Sequence, residues 1–415
     1  MAEGLAPEER LALIKENLQE VLKPEIIDNI ILTEQRPLKI YWGTATTGRP
    51  HCGYFICIVK IAHFLKAGCN VKLLLADIHG FLDNLKAPFE LVQFRAEYYR
   101  RLIVSMLKSA KVPIEKLEFV TGSDYQLSSK YSMDLLRMSA VCTEHDSKKA
   151  GAEVVKQVDN PLLSGLIYPL MQALDEEYLG VDVQFGGVDQ RKIFTLAAEQ
   201  LPKLGYKERA HLLNPMVPGL AGGKMSSSEP DSKIDVLDSP DVVRRKLKKA
   251  HAAPKEVEGN GVISFVEHVV LPVSRLQGDG QGKFVVERKD QEPLIYSNIA
   301  KVKEDYLADI LTPQTLKPAV ANALLDLLAP IQEEFKSSQE WQSIEQKAYP
   351  PPEVKKKEKK AKKLGTRFPG GARGIEAKAD GHVEGKGKTE VDLTTSSAQA
   401  MQKLAIRSDE ATPST

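Results

Sequence analysis

No apolar run in this chain approaches the length needed to cross a membrane, which excludes a spanning helix. Cysteine is scarce: the four residues Cys52, Cys57, Cys69 and Cys142 show no paired metal spacing. They exclude a disulfide scaffold or zinc framework and read as buried thiols of a reducing compartment. No resident metal site is expected. Net charge is also missing, at +1, so the field of the whole chain says little about partners. The first ten residues, Met1 to Arg10, carry Glu3, Glu8 and Glu9. They lack both the acid-poor character of a transit peptide and the apolar core of a signal peptide. A cytoplasmic location is expected, with a nuclear fraction left open. No Ser-His-Asp or Cys-His pattern marks a covalent nucleophile.

What is present is a chain of 415 residues, enough for two or three domains. Leu11, Ile14, Leu18, Val21 and Leu22 predict an amphipathic helix over residues 8–22. Leu38 to Trp42 predicts a buried strand, and Gly53 to Lys66 a helix with Ile58, Ile61, Ala62 and Leu65 on one stripe. Val71 to Ala76 predicts the next strand. This is a βαβ unit whose first strand-to-helix loop is where ligands sit in parallel sheets. Further strands are expected at Leu117 to Thr121, Val181 to Phe185 and His211 to Leu213. The alternation predicts an α/β fold, a Rossmann-like doubly wound parallel sheet. The composition shifts near Asp238-Ser239-Pro240, and Val242 to Phe335 reads as mostly helical, with Val320, Leu324, Leu325, Leu327 and Leu328 on one helix. Beyond Tyr349-Pro350-Pro351-Pro352, seven lysines fall between Lys355 and Lys363, and the rest is rich in Gly, Ser, Thr and charge. Disorder is expected there. The expected domains are an N-terminal helical segment (1–37), the sheet domain (38–237), a helical domain (238–349) and a Lys-rich tail (350–415).

Two stretches have the composition of phosphate sites. One is Thr47-Gly48-Arg49-Pro50-His51-Cys52-Gly53-Tyr54, at the turn from strand to helix. The other is Lys224-Met225-Ser226-Ser227-Ser228, preceded by Gly222-Gly223. Helix N-termini and small-residue loops attract phosphate through backbone N–H groups, and a lysine adds charge for a leaving pyrophosphate. Either stretch alone is as easily a solvated loop; together they suggest a nucleoside triphosphate held from both ends. Between them, Tyr168, Gln172 and Asp175 fall at i, i+4 and i+7 and share one helix face. Tyrosine, amide and carboxylate suit a small ligand with an amine and a hydroxyl, although a half-exposed helix has the same pattern. Gly186-Gly187-Val188-Asp189-Gln190 suits close approach of a ribose, and ordinary turns use the same residues.

Taken in order, Tyr41-Trp42-Gly43, Thr47 to Tyr54, Tyr168 to Asp175, Gly186 to Gln190 and Lys224 to Ser228 resemble tyrosyl-tRNA synthetases of the eukaryotic and archaeal type, over residues 38 to about 235. The resemblance is weaker from 240 to 349 and carries nothing beyond 350. It implies a class I synthetase that joins L-tyrosine to ATP as tyrosyl-adenylate and then transfers the tyrosyl group to tRNA(Tyr). It implies that Thr47, His51 and Gly53 hold ATP phosphates, that Gly187 and Asp189 hold the ribose, and that Lys224, with Met225, Ser226, Ser227 and Ser228, meets the pyrophosphate. Mg2+ would bridge the phosphates. Tyr41 and Asp175 would bracket the substrate hydroxyl; Tyr168, Gln172 and Gln190 would hold its ammonium end; Leu74, His79 and Gln126 would complete the pocket. The resemblance further implies an anticodon-binding role for the helical domain, acceptor-stem contacts from Arg191 and Lys192, and a homodimer formed through an insertion near 120–165.

Three positions depart from the family pattern. Ser227 stands where a second lysine is usual, Tyr54 where many class I enzymes have histidine, and Thr315, in Leu311 to Lys317, where an aspartate would read the first anticodon base. The run Arg244 to Lys249 suits RNA phosphates or a plain solvated face equally well. Two rivals are set against this reading. Tryptophanyl-tRNA synthetases share the fold, but Asp175 with Tyr41 suits a phenol better than an indole. An RNA-binding paralogue without activity would have no need of His51, Asp189 and Lys224 together.

Overall fold

The chain folds around one six-stranded sheet, seen in a computed structural model that describes residues 5–83, 88–155, 162–220, 232–278 and 280–351. Lys224 to Ser228 and the Lys-rich tail lie outside these residues. Helix α1 (Pro7–Lys15) starts on Pro7 with Glu9 accepting from the Ala6 N–H at 2.8 Å. The helix expected over 8–22 stops here. Asn17 takes a left-handed conformation at φ 56°, and the buried ammonium of Lys60 donates to the carbonyls of Leu13 (3.0 Å) and Glu16 (2.7 Å). Those are carbonyls that a helix end leaves without partners. Leu18 and Val21 still pack inward, but Glu20 to Leu22 forms strand β1 (Glu20–Leu22) rather than helix. Helix α2 (Pro24–Asp28) follows.

The βαβ unit forms as expected: β2 (Lys39–Ala45), α3 (Tyr54–Lys66) and β3 (Asn70–Ala76). Then come α4 (Asp77–Leu82), α5 (Val92–Ser109), β4 (Leu117–Thr121), α6 (Ser123–Gln126), α7 (Ser129–Val141) and α8 (Glu144–Ala150). Helix α9 (Leu163–Tyr178), β5 (Val183–Gly187), α10 (Arg191–Gln200) and β6 (Ala210–Asn214) close the sheet. Its order is β1-β6-β5-β2-β3-β4, parallel from β6 to β4, with β1 antiparallel at the edge. Ile40, Val71, Leu73, Phe185 and Leu212 are buried between helices on both faces, as strands of a parallel sheet must be. The strand order reverses between the adjacent parallel strands β2 and β5, with the chain winding outward from β2 through β3 to β4 and from β5 to β6. The crevice beyond their carboxyl ends is therefore the expected ligand site.

The remainder is α11 (Pro240–Lys249), α12 (Gly261–Phe265), α13 (Leu271–Gln277), a hairpin of β7 (Phe284–Arg288) and β8 (Gln291–Tyr296), and then α14 (Ile299–Leu307), α15 (Pro313–Ser337) and α16 (Gln339–Ala348). This stretch is mostly helical as expected, and the hairpin is an addition that the sequence did not show. Phe284 and Val286 alternate inward, Tyr296 faces Phe284 in register, and Asp290 turns at φ 57°. Helix α15 buries Leu316, Val320, Leu324 and Leu328, while Leu325 is only partly buried. It ties to α5 through Ser105 Oγ to Glu334 (2.6 Å) and Ser109 Oγ to the Leu327 carbonyl (2.6 Å). The described residues up to Pro350 form one compact unit.

Candidate active site

Beyond the carboxyl ends of β2 and β5 opens a cavity of about 320 Å³. Strand β2 brings Tyr41, and β3 brings Leu74. The helices add His79 from α4 and Tyr168, Gln172 and Asp175 from α9. The turn after β5 contributes Gly187, Asp189 and Gln190, and the loop before α3 contributes His51 and Gly53. All of these were expected site residues. Gln126 is not in the wall but stands behind Asp175, and Thr47 lies outside the lining. Residues not anticipated in the wall include Cys57, Asp83 and Gln184.

At the deep end sits Asp175, fully buried. Its Oδ1 accepts from Tyr125 Oη (2.8 Å), Gln126 Nε2 (2.8 Å) and Tyr131 Oη (3.0 Å). Its Oδ2 has no partner among the described residues. Burial drives the Asp175 carboxyl up to about 7, against the three donors, which favour the carboxylate. Tyr41, 1% exposed, has its hydroxyl 3.5 Å from the Gln172 carbonyl, and burial followed by the Asp175 charge holds that phenol protonated. His79 is pushed down to about 4 by burial, so its ring is neutral, edge-on to Tyr168 with centroids 4.7 Å apart. Nearer the mouth, Gln172 Nε2 donates to Gln190 Oε1 (2.8 Å), which orients both amides.

The glycines after β5 are needed for space. A Cβ on Gly187 would lie 2.5 Å from Asp189 Oδ1, and one on Gly186 would lie 2.8 Å from the Phe194 ring. Both side chains can approach the strand end only because these positions are bare.

The loop before α3 is held from outside. Arg95 donates to the Thr47 carbonyl (2.8 Å). Tyr99 and Tyr349 both donate to the Gly48 carbonyl, the latter at 2.9 Å. His51 Nδ1 accepts from the Gly53 N–H at 3.1 Å, so the ring proton of neutral His51 sits on Nε2. Burial and the nearby Lys233 keep that ring neutral, with a pKa near 4. The first-turn N–H groups expected to face phosphate are engaged instead: Tyr54 N bonds the His51 carbonyl, Phe55 N that of Cys52, and Ile56 N that of Gly53. Tyr54 pairs its hydroxyl with Thr44 Oγ1 at 2.9 Å. The His51 side chain, with its proton on Nε2, is the donor that this loop brings to the cavity wall. Arg95, Tyr99 and Tyr349 could not be singled out in the sequence, since their role exists only where α5 and the end of α16 meet the loop.

Three expected tRNA contacts lie elsewhere. Arg191 pairs with Glu20 (2.8 Å) and Lys192 with Glu153 (2.8 Å), all at least a third exposed apart from Glu20, at 32%. Thr315 joins Thr312 in a capping box at the start of α15, its Oγ1 accepting from the Thr312 N–H at 3.3 Å. Beside it runs a groove of about 490 Å³ lined by Arg244, Lys248, Pro313, Gln314, Lys317, Pro318 and Ala321.

Comparison with known proteins gives three findings. Residues 33–329 match the family described as tRNA synthetases class I (W and Y). The cytoplasmic tyrosine–tRNA ligase of Saccharomyces cerevisiae is 54% identical over 370 residues, covering 88% of this chain and 94% of the relative. That of Danio rerio is 54% identical over 358 residues, 86% of this chain, but this chain spans only 66% of that relative. Among solved structures, the tyrosyl-tRNA synthetase of Archaeoglobus fulgidus complexed with L-tyrosine is 37% identical with a TM-score of 0.71, covering 79% of this chain and 99% of that one.

Proposed function

This chain belongs to the class I tRNA synthetases of the W and Y type, and from that premise we propose that it activates L-tyrosine with ATP and charges tRNA(Tyr). The observation that carries the choice of tyrosine is the buried Oδ2 of Asp175, without a partner at the deep end of the cavity and across from Tyr41. A hydroxyl at the end of an aromatic ring satisfies that oxygen. A phenyl ring leaves it unpaired, and an indole N–H lies elsewhere on its ring.

In this reading the tyrosine ring lies between Leu74 and Tyr168, with its ammonium at Tyr168, Gln172 and Gln190. Its carboxylate attacks the α-phosphorus of ATP in line; the new C–O–P bond forms as the bond to pyrophosphate breaks. No protein nucleophile takes part, so catalysis is positioning plus charge stabilisation. His51 Nε2–H donates to a phosphate oxygen, Asp189 accepts from the ribose hydroxyls, and Lys224 with Met225, Ser226, Ser227 and Ser228 meets the departing pyrophosphate. Thr47 acts through the loop shape that Arg95 fixes. Among the described residues no cluster of three or more His, Cys, Asp or Glu side chains suits a metal ion. Mg2+ enters this reading with the substrate, as MgATP.

For tRNA, Arg191 and Lys192 exchange their exposed carboxylate partners for acceptor-stem phosphates; such surface pairs are worth about 0–1 kcal/mol and give way readily. The basic groove beside Thr315 takes the anticodon end, which assigns residues 238–349 to anticodon binding and 38–237 to catalysis. Leu127, Met133, Leu136 and Leu163 are 55%, 58%, 65% and 75% exposed within the insertion near 120–165, an apolar surface suited to a homodimer. The location proposed is cytoplasmic, in line with the relatives' names, with a nuclear fraction left open. The test is ATP–pyrophosphate exchange with tyrosine and with tryptophan. Exchange with tyrosine alone is expected; exchange with tryptophan alone overturns the reading.

A further inference from the structure

Asp175 is bound lopsidedly. One oxygen carries three donors and the other none, in a side chain with no access to solvent. The donors come from one short stretch, the end of α6 and the first turn of α7, placed there by the Ser128 cap on the Tyr131 N–H. Tyr131 is fully buried, and its hydroxyl shares a single proton between Asp175 Oδ1 and the Met171 carbonyl at 2.9 Å. Its ring is wedged against Tyr178 at 4.7 Å and Tyr125 at 5.8 Å, so neither hydroxyl can swing away. The unpartnered Oδ2 faces His79 Nε2 at 3.8 Å, and that nitrogen also has no partner. An oxygen about 2.8 Å from each closes a triangle on that 3.8 Å base.

We propose that Tyr125 and Tyr131, with Gln126, are positioning residues for amino-acid selection: by tying down Oδ1 of Asp175 they aim Oδ2, opposite His79, at the hydroxyl of the substrate. This rests on the reading of the cavity as a tyrosine site. Neither tyrosine touches the substrate. Each acts through Asp175 in two ways, by fixing the rotation of the carboxyl and by favouring its charged form. Tyr41 and Tyr168 face the same carboxylate from β2 and α9, His79 from α4, and Glu176 follows it on α9. Burial holds both phenols protonated. His79 stays neutral down to a pH near 4, and Glu176 pairs with His211 at 2.8 Å. The acid limb of tyrosine binding therefore reports Asp175.

The test uses the full chain with Tyr131→Phe and, separately, the half-buried Tyr125→Phe, in ATP–pyrophosphate exchange with tyrosine and phenylalanine from pH 6 to 9. Removing a hydrogen bond to a charged group is expected to lower kcat/KM for tyrosine about tenfold, mainly through KM. The weak exchange with phenylalanine should stay the same, which also certifies that the variant is folded. The acid limb of the tyrosine KM profile should move to higher pH. An unchanged ratio of tyrosine to phenylalanine, or equal losses for both with the acid limb unmoved, overturns the proposal. If Tyr131→Phe does not fold, Tyr125→Phe decides alone. Wild-type protein without tyrosine-dependent exchange overturns the tyrosine reading itself, and this proposal with it.

Discussion

On the proposed reading, Asp175 is a single residue that trades stability for selection. A carboxyl in a sealed, mostly aromatic site is disfavoured when charged, and only part of that cost is recovered from the three donors on Oδ1. Its folded pKa of about 7 lies above its ordinary value of 3.8. The stability associated with this group is thus fully present at pH below about 4 and is lost as pH rises towards 7. Asp175→Asn removes the titration but keeps an acceptor for Tyr125, Tyr131 and Gln126. Without substrate, the variant is expected to melt about 2 °C higher than wild type at pH 8, with the gap closing towards pH 4. Its tyrosine-dependent exchange should fall about 100-fold, as for a lost hydrogen bond to a charged group. Thermal melts at several pH values check the first expectation; a variant less stable at pH 8 would show that the carboxylate is held for the fold rather than for the ligand.

At the scale of elements, legibility followed burial. The strands β2, β3, β5 and β6 stand out as short apolar runs because a parallel sheet is covered on both faces; β4, half-buried at the other edge, shows through Leu117, Phe119 and Val120. Strand β1 does not: its three residues are all half-buried at an edge, and the apolar spacing of residues 8–22 fits a helix just as well. What ended that helix, the left-handed Asn17 and the cap from Lys60, depends on a side chain some 45 positions away. The hairpin β7–β8 was hidden for a similar reason, since only alternate residues face inward. Much of the cavity wall was legible, because His51, Asp175, Asp189 and Gln190 sit in local patterns that carry chemistry, while Tyr41 came only with the family resemblance. Tyr125 and Tyr131 carry none until α7 meets α9. The start of α15 gives an element-scale prediction. Thr315 already closes a capping box, and an aspartate there keeps the acceptor for the Thr312 N–H while adding charge suited to a helix N-terminus. Thr315→Asp is expected to leave stability unchanged or raise it by about 0.5 kcal/mol. It should also sharpen the preference for the cognate first anticodon base, measured by charging anticodon-mutant tRNAs. Unaltered discrimination would mean that another residue of the groove, such as Gln314, reads that base.

At the scale of the whole molecule, the sequence carries a Lys-rich stretch beyond the compact unit that holds the cavity. Tyr349 belongs to the site's scaffold, holding the Gly48 carbonyl and facing Arg49 and Arg95 at 4.7 and 5.0 Å. A truncation that keeps Tyr349 should therefore leave tyrosine-dependent pyrophosphate exchange intact. The seven lysines between Lys355 and Lys363 can neutralise several phosphates with release of counterions, a contribution blind to base sequence and steep in salt. Removing them should raise the KM for tRNA at moderate salt and flatten its salt dependence. Equal affinity and equal salt slope would assign the stretch to localisation instead.

On the proposed reading, selection turns on the buried oxygen of Asp175 that has no partner among the described residues. The most direct measurement is the kcat/KM of ATP–pyrophosphate exchange for tyrosine against phenylalanine, which differ by that hydroxyl alone. Phenylalanine leaves the Asp175 carboxylate and the facing His79 nitrogen buried and unpaired, a penalty of roughly 4 kcal/mol or more, which corresponds to selection of about a thousandfold. A ratio of that order or larger is expected; equal rates with the two amino acids would contradict the account.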